Sequence, residues 1–546
     1  MLGLKNSHSK YDHYKDFIRM YFSRENFEMG EYVYKQLVSL ENNNLKNNKK
    51  VELVIINTVS SLSFFEYCFD KVDKNEIETQ TTIEIETNIL KAYLIINESF
   101  FKDEEIAFET SKQSPLEINF SCTMLTQSFP YFDLVDYKPI KILTTQMIKA
   151  ILLFEHLEST SKTHTLLHSF LEYYKVSNWK EYLLKIFPLM MAVINKKNEA
   201  HTLINIEDDE EFKNNCAFFD TLTVIDTELI SKYDFLKIRN QPLAKINDSQ
   251  YLIIFDLFLL EKVYKGLYFK LNEINKNLSP SEQIKSFKSY FGNEISEKMM
   301  LYKILEDTFY KKYITYTGEE IKNLNINAEP DYYIRNGKYL FLFESKDFLI
   351  PAEIKKSWDF NAYEKILKEK LYYVENEEGK IINKAIKQLF TNIERVLTKK
   401  LSFDTAYSEK SILIYPIIVI HDTQYNIPGL NNLINYWAKN ELAKLNALGL
   451  DINRIKPITI IDIDTLIYHQ DIFRTGKIKL NITLDKYFEY VSFDEKKQYK
   501  DLNQLSIRKH RTALPFSLFL DWFIDKNKLH KIPKFLQDKL ISISSV

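Results

Sequence analysis

Apolar side chains recur at three- and four-residue steps over residues 1–40, and again from about Ile140 to Ile194, predicting helices in both places. Between them, ENNNLKNNKK (41–50) reads as a solvated loop. VELVIINTV from Val51 and TTIEIETNI from Thr81 read as strands, the second with one-by-one alternation. IEDDEEFKNN (206–215) reads as another solvated loop, and residues 216–276 mix apolar runs with a turn-rich connection, RNQPLAKINDSQY. Near NKNLSPSEQIKSF (275–287) the pattern predicts a boundary. Ser279, then Pro280, then Glu282 make a capping box with proline in the first turn, so a helix is expected to start there.

The second half alternates helices and strands. GNEISEKMMLYKILEDTF (292–309) reads as a helix in which Glu297 lines up with Leu301, Ile304 and Leu305. Asn336-Gly337 between two aromatic-rich runs predicts a β-hairpin over 329–350. KIINKAIKQLFTNIERVL (380–397) reads as an amphipathic helix buried along Ile382, Ile386, Leu389, Ile393 and Val396, with Lys384 and Gln388 on another face. Two apolar strands, SILIYPIIVI (411–420) and KPITIIDID (456–464), come next. The expected fold class is mixed α/β. A largely helical α+β module over 1–275 leads into an α/β domain over 276–485, and a helical extension occupies 486–546.

Composition adds little except in its distribution. No segment reaches the roughly 20 apolar residues of a membrane span, and the first residues lack the apolar core of a signal peptide. Cys68, Cys122 and Cys216 form no paired spacing, so neither a disulfide framework nor a structural zinc site is indicated, and a cytoplasmic protein is expected. The net charge of −2 is unevenly divided: 32 basic against 40 acidic residues in 1–280, 41 against 35 in 281–546. A polyanion-binding surface is therefore expected in the second half.

The hairpin carries the chemistry. If Arg335 pairs with Lys338, Asp331 faces Leu342 and shares a sheet face with Glu344 and Lys346. Asp331 and Glu344 are then diagonal neighbours roughly 7 Å apart, close enough to converge on one divalent cation with Lys346 beside it. Glu353-Ile-Lys355 repeats the Glu-x-Lys spacing, but the apolar run YLFLF leads into the first copy as a buried central strand requires.

Pro330-Asp331 followed by Glu344-Ser345-Lys346 resembles the PD-(D/E)xK nuclease superfamily, over roughly residues 285–480. The resemblance implies a restriction-endonuclease-like α/β core and a metal-dependent endonuclease hydrolysing phosphodiester bonds of DNA. Asp331, Glu344 and Lys346 would be catalytic. Mg²⁺ or Mn²⁺ would be held by Asp331, Glu344 and Glu297, the last with Glu294 and Glu306 as rivals. Lys384 and Gln388 would be directed at the nucleic acid, unless they form a plain solvated helix face. The first 275 residues would serve recognition, regulation or assembly with a protein partner or a second copy, an arrangement common in restriction and antiviral defence. A ribonuclease, or a nuclease fold kept as a binding scaffold, remains an alternative.

Three other features carry bland readings. His164 and His168, one helix turn apart, lack the glutamate of a zinc-protease motif. Asp462 and Asp464 end a strand and cap the next element. The basic run IRKHR (507–511) is a solvated face.

Overall fold

The computed structural model describes residues 56–71, 80–135, 137–196, 202–224, 235–309, 312–324, 329–493, 502–529 and 532–544. The helix and loop expected over 1–50, and the start of the strand expected from Val51, lie outside these residues. The end of that strand, Thr58 and Val59, opens a helix, Thr58–Lys71. The strand expected from Thr81 is also a helix, α1 (Thr82–Ser111), with a capping box in which the Thr81 N–H donates to Glu84 Oε2 at 2.7 Å. The alternation misled because Ile83 lies on an exposed first turn. Burial comes further on, where the unbroken run Lys91–Ile96 is buried by a helix packed on several sides.

The helices expected from 140 to 194 are present. After α2 (Asn119–Ser128) come α3 (Pro139–Ser159), α4 (His164–Tyr174) and α5 (Trp179–Ile194). A small antiparallel sheet comes next, β1 (Leu203–Asn205), β2 (Leu243–Asn247) and β3 (Gln250–Ile253), ordered β1-β3-β2. The acidic stretch turns until Glu211, and a helix starts at Phe212. Beyond the small sheet lies α6 (Lys265–Asn277).

No helix starts at Ser279. The Ser279 hydroxyl donates to Glu282 Oε2 at 2.6 Å, but the cap closes only turns. The Asn275 side chain then clamps both the N–H and the carbonyl of Ile284, so the chain bends back and resumes as helix at Phe287. The helix expected over 292–309 is there, with a difference: α7 (Phe291–Tyr302) winds as a π-helix before tightening to α-helix over Lys303–Phe309.

The central sheet has five strands: β4 (Ile314–Thr317), β5 (Tyr332–Asn336), β6 (Tyr339–Lys346), β9 (Leu413–Ile420) and β10 (Thr459–Asp462). A short hairpin, β7 (Tyr373–Glu375) with β8 (Ile381–Asn383), stands apart. The central order is β10-β9-β6-β5-β4, parallel from β6 to β10 and antiparallel from β6 to β4. Parallel neighbours need crossovers. These are supplied by α8 (Phe360–Leu371) and α9 (Ala385–Leu397) before β9, and by α10 (Leu430–Ala447) before β10. Their apolar faces bury Leu340, Leu342, Ile418 and Ile460 on one side of the sheet. In α9 the expected stripe Ile386, Leu389, Ile393 and Val396 is fully buried. Ile382 is not part of it, because residues 381–383 pair as β8 and leave it exposed.

The opposite face, with Tyr332, Ile334, Phe341, Phe343, Ile417 and Val419, joins one continuous core with α3, α5, α6, α7 and α11 (Ile463–Arg474). The boundary placed at 275 thus separates no two cores. The first half reaches the crossover side as well. Phe129 stacks on Tyr363 with ring centroids 4.1 Å apart, and α2 abuts the start of α10 so closely that a Cβ on Gly429 would lie 2.0 Å from the Ser121 carbonyl oxygen. The chain is mixed helix and sheet, helices covering both faces of a sheet that is half parallel and half antiparallel in its pairings.

Candidate active site

β6 is the central strand, flanked by β5 and β9, and its sequence YLFLF is apolar on both faces for that reason. Polar residues begin only where it leaves the core, at Glu344, Ser345 and Lys346. The hairpin register differs by two residues from the expected one: Arg335 pairs with Leu340 and Asn336 with Tyr339. The turn residues are therefore Gly337 and Lys338, with Gly337 alone left-handed at φ +59°. One step beyond the last pair, Tyr332 with Phe343, Asp331 comes abreast of Glu344 rather than diagonal to it. The two carboxylates are closer than the expected register would place them.

Asp331 is held from both ends. Its carbonyl accepts the Gly318 N–H at 2.9 Å, and its Oδ2 accepts the Ser345 N–H at 2.6 Å. Lys346 Nζ donates to Glu344 Oε2 at 3.0 Å and lies 3.8 Å from Asp331 Oδ2. Glu344 is 0% exposed, and its second oxygen, Oε1, is buried without a hydrogen-bond partner. Glu297, on the π-helix, accepts the Tyr302 hydroxyl. The expected group Glu297, Asp331, Glu344 and Lys346 is thus brought together in one electrostatically coupled cluster.

Ionisation reflects that crowding. Burial, then the Asp331 charge, holds Glu344 well above the ordinary carboxyl range, with Lys346 opposing. Burial raises Asp331 too, against the pull of Lys346 and the Ser345 N–H. Burial and the Asp331 charge push Glu297 up to about 7. For Lys346, burial favours the neutral amine, but Glu344 and Asp331 outweigh it and keep the ammonium. Three carboxylates thus face one lysine, with a buried carboxylate oxygen unpartnered. A hard divalent cation fits that donor set. Among the described residues no group of three or more His, Cys, Asp or Glu is arranged to hold a metal ion by itself. Mg²⁺ needs less, since one or two carboxylates suffice when water and phosphate oxygens fill its remaining positions.

The other candidates fall elsewhere. Glu294 pairs with Lys298 at 3.1 Å, and Glu306 is exposed. Lys384 precedes α9 and Gln388 lies on its first turn; among the described residues neither bonds to the cluster. Glu353 and Lys355 lie on a short helix, not a strand, with Lys355 buried 3.6 Å from Asp133. His164 is spent on the Glu158 carbonyl and His168 is exposed. Asp462 caps α11, whereas Asp464 takes a buried ion pair with Lys149 at 2.6 Å. In the basic run, Arg508 binds the Tyr490 carbonyl at 2.9 Å, while Lys509, His510 and Arg511 are exposed.

Sequence reasoning missed the supports. The Ser345 hydroxyl pairs with His421 Nε2 at 2.8 Å. Asp347 accepts from Ser296 at 2.5 Å and Lys288 at 2.6 Å, tying the π-helix that carries Glu297 to the end of β6. The signal was faint: His421 and Asp347 are the first polar residues after β9 and after the Glu-Ser-Lys triplet.

Compared with known proteins, the chain matches no protein-family model, and no curated protein and no solved structure is significantly similar to it. Among the described residues no helix is long and apolar enough to cross a membrane.

Proposed function

We propose that the chain is a metal-dependent endonuclease of the PD-(D/E)xK type that hydrolyses phosphodiester bonds of DNA. The observation that carries this reading is the convergence of Asp331, Glu344 and Lys346 at the end of one central strand, with Glu344 Oε1 left unpartnered in a buried site. Hydrolysing a phosphodiester requires a nucleophilic water and compensation for charge developing on phosphorus-bound oxygens. Mg²⁺ or Mn²⁺, held by Asp331 and Glu344 with Glu297 beside them, would supply an activated water and a positive field. Lys346, kept protonated by its neighbours, offers an ammonium to the developing oxyanion. Asp331 is fixed before substrate arrives by the Ser345 N–H, so little reorganisation is needed.

The uneven charge supports placing the polyanion on the second half, although the shared core makes the first half part of the same body. That first half would contribute recognition, control or assembly, a combination suited to restriction or antiviral defence. The test is incubation of the purified protein with plasmid DNA and with RNA, each with and without Mg²⁺. DNA cleavage that stops with EDTA is expected. Cleavage of RNA alone would transfer the same chemistry to a ribonuclease.

A further inference from the structure

Behind the Glu344–Lys346 strand end lies a pocket lined by aromatic rings and polar side chains, at the carboxyl ends of the parallel strands β6 and β9. Open α/β sheets commonly bind ligands at such strand ends. Three lysines line it, which at first suggests phosphate. Each is already neutralised: Lys149 by Asp464 at 2.6 Å, Lys265 by Glu261 at 3.0 Å and Asp422 at 3.2 Å, Lys288 by Asp347 at 2.6 Å. The pocket therefore offers no surplus cation.

It offers unused neutral hydrogen-bonding groups and ring surface. His421 Nδ1 is buried and has no partner, while Nε2 is committed to the Ser345 hydroxyl. His421 lines the pocket, and in either tautomer its Nδ1 is an unsatisfied hydrogen-bonding atom. The Gln146 carbonyl oxygen is taken by the Lys265 N–H at 2.9 Å, leaving its NH₂ to donate. Phe291 lines the pocket as a buried ring, and Phe269 lines it while 44% exposed. Ring faces joined to a few uncharged donors and acceptors suit a flat, neutral, polar heterocycle.

We propose that this pocket receives one unpaired nucleobase of the polynucleotide, next to the phosphate being cleaved. The proposal rests on the nuclease reading and deepens it. The link to the chemistry is short, since His421 holds the hydroxyl of Ser345 and the N–H of Ser345 holds Asp331. A base seated against His421 thus presses on the residue that positions a metal-binding carboxylate, so base identity is felt in the rate as well as in binding.

The experiment is a calorimetric titration of the full-length protein, free of divalent metal, with each of the four deoxynucleosides and separately with inorganic phosphate. Deoxynucleosides should bind, one base in preference, and phosphate should not. Phe269→Ala, at a partly exposed ring whose loss leaves the core intact, should weaken nucleoside binding roughly tenfold, as loss of one stacking face does. Gln146→Ala should change the preferred base, and Leu116→Ala, exposed elsewhere, should change nothing. Deoxynucleosides binding no better than phosphate, or binding Phe269→Ala and Gln146→Ala as they bind the parent, would overturn the proposal. The titration needs neither metal nor cleavage. Failure to cleave DNA would defeat the nuclease reading and leave this result standing; failure to bind nucleosides in a protein that cleaves would defeat the pocket alone.

Discussion

The backbone N–H of Ser345 donates to Asp331 Oδ2 at 2.6 Å, so the peptide between Glu344 and Lys346 holds the third member of their cluster. A backbone donor survives every substitution except proline. The carboxylates do not, and they carry the first prediction. Asp331→Asn and Glu344→Gln should each weaken Mg²⁺ or Mn²⁺ binding at least tenfold in calorimetric titration, because an amide oxygen is a poorer ligand for a hard cation. Parent-like metal affinity in both variants would remove these residues from the site.

A second prediction concerns the group that stiffens β5. Arg335 reaches Asp404 through Nε at 2.5 Å and Nη2 at 2.8 Å, and the Tyr333 hydroxyl donates to the same carboxylate at 2.6 Å, all buried. Asp404→Ala strands a guanidinium that is 5% exposed, and should cost about 3–5 kcal/mol in denaturant unfolding. A loss below about 1 kcal/mol would mean that water replaces the carboxylate.

The two halves should prove inseparable. A fragment beginning near Asn275 would lose α3, α5 and most of α6 from the core they share with α7, α11 and the sheet, and would break the Lys149–Asp464 pair. It should be insoluble or molten. Gly429→Ala in the full chain should destabilise it as well, because the new methyl group meets the Ser121 carbonyl and φ is +84°. A soluble, cooperatively melting 275–546 fragment would contradict the shared core.

Contacts between the halves are also where sequence periodicity falls short. Local patterning revealed the helices from 140 to 194, the hairpin, α9, β9 and β10, since the helices bury one stripe and the strands are short runs apolar throughout. It could not reveal that Phe129 lies against Tyr363, or that Gly429 is reserved for Ser121 far earlier in the chain, because those contacts leave no periodic trace. The Asp331, Glu344 and Lys346 group was legible because a two-residue turn ties two short stretches together. A register two residues off still left it on one face, for side chains alternate with period two. Ser296, Asp347 and His421 come from three separate elements and only folding assembles them.

The pH dependence of stability offers a fourth check, remote from the cluster. Lys262 donates to the Asn240 carbonyl at 3.0 Å, and burial, with Lys270 adding to it, lowers the ammonium to about 8. Between about 8 and the ordinary lysine value near 10.4, the unfolded chain binds a proton that the folded chain does not. This group therefore makes stability rise with pH across that window, and lowers it below about 8, where the buried amine must carry charge. Lys262→Met should abolish that part of the slope. Melting curves of parent and variant at pH 7.5 and 9.5 decide it, and equal slopes would contradict the assignment.

The most direct test of the central claim is cleavage of supercoiled plasmid by the parent and by Lys346→Ala, with Mg²⁺ and with EDTA. In the proposed mechanism Lys346 acts on the transition state, so the variant should fold and bind DNA as the parent does, yet lose at least a hundredfold in rate. Glu353→Ala and Lys355→Ala distinguish the second Glu-x-Lys copy, and Glu353→Ala, at an exposed position, should cut normally. Mg²⁺-dependent cutting by the parent, lost in Lys346→Ala, is the predicted result. Cutting by Lys346→Ala at the parent's rate, or no cutting by the parent with any divalent cation, would contradict the account.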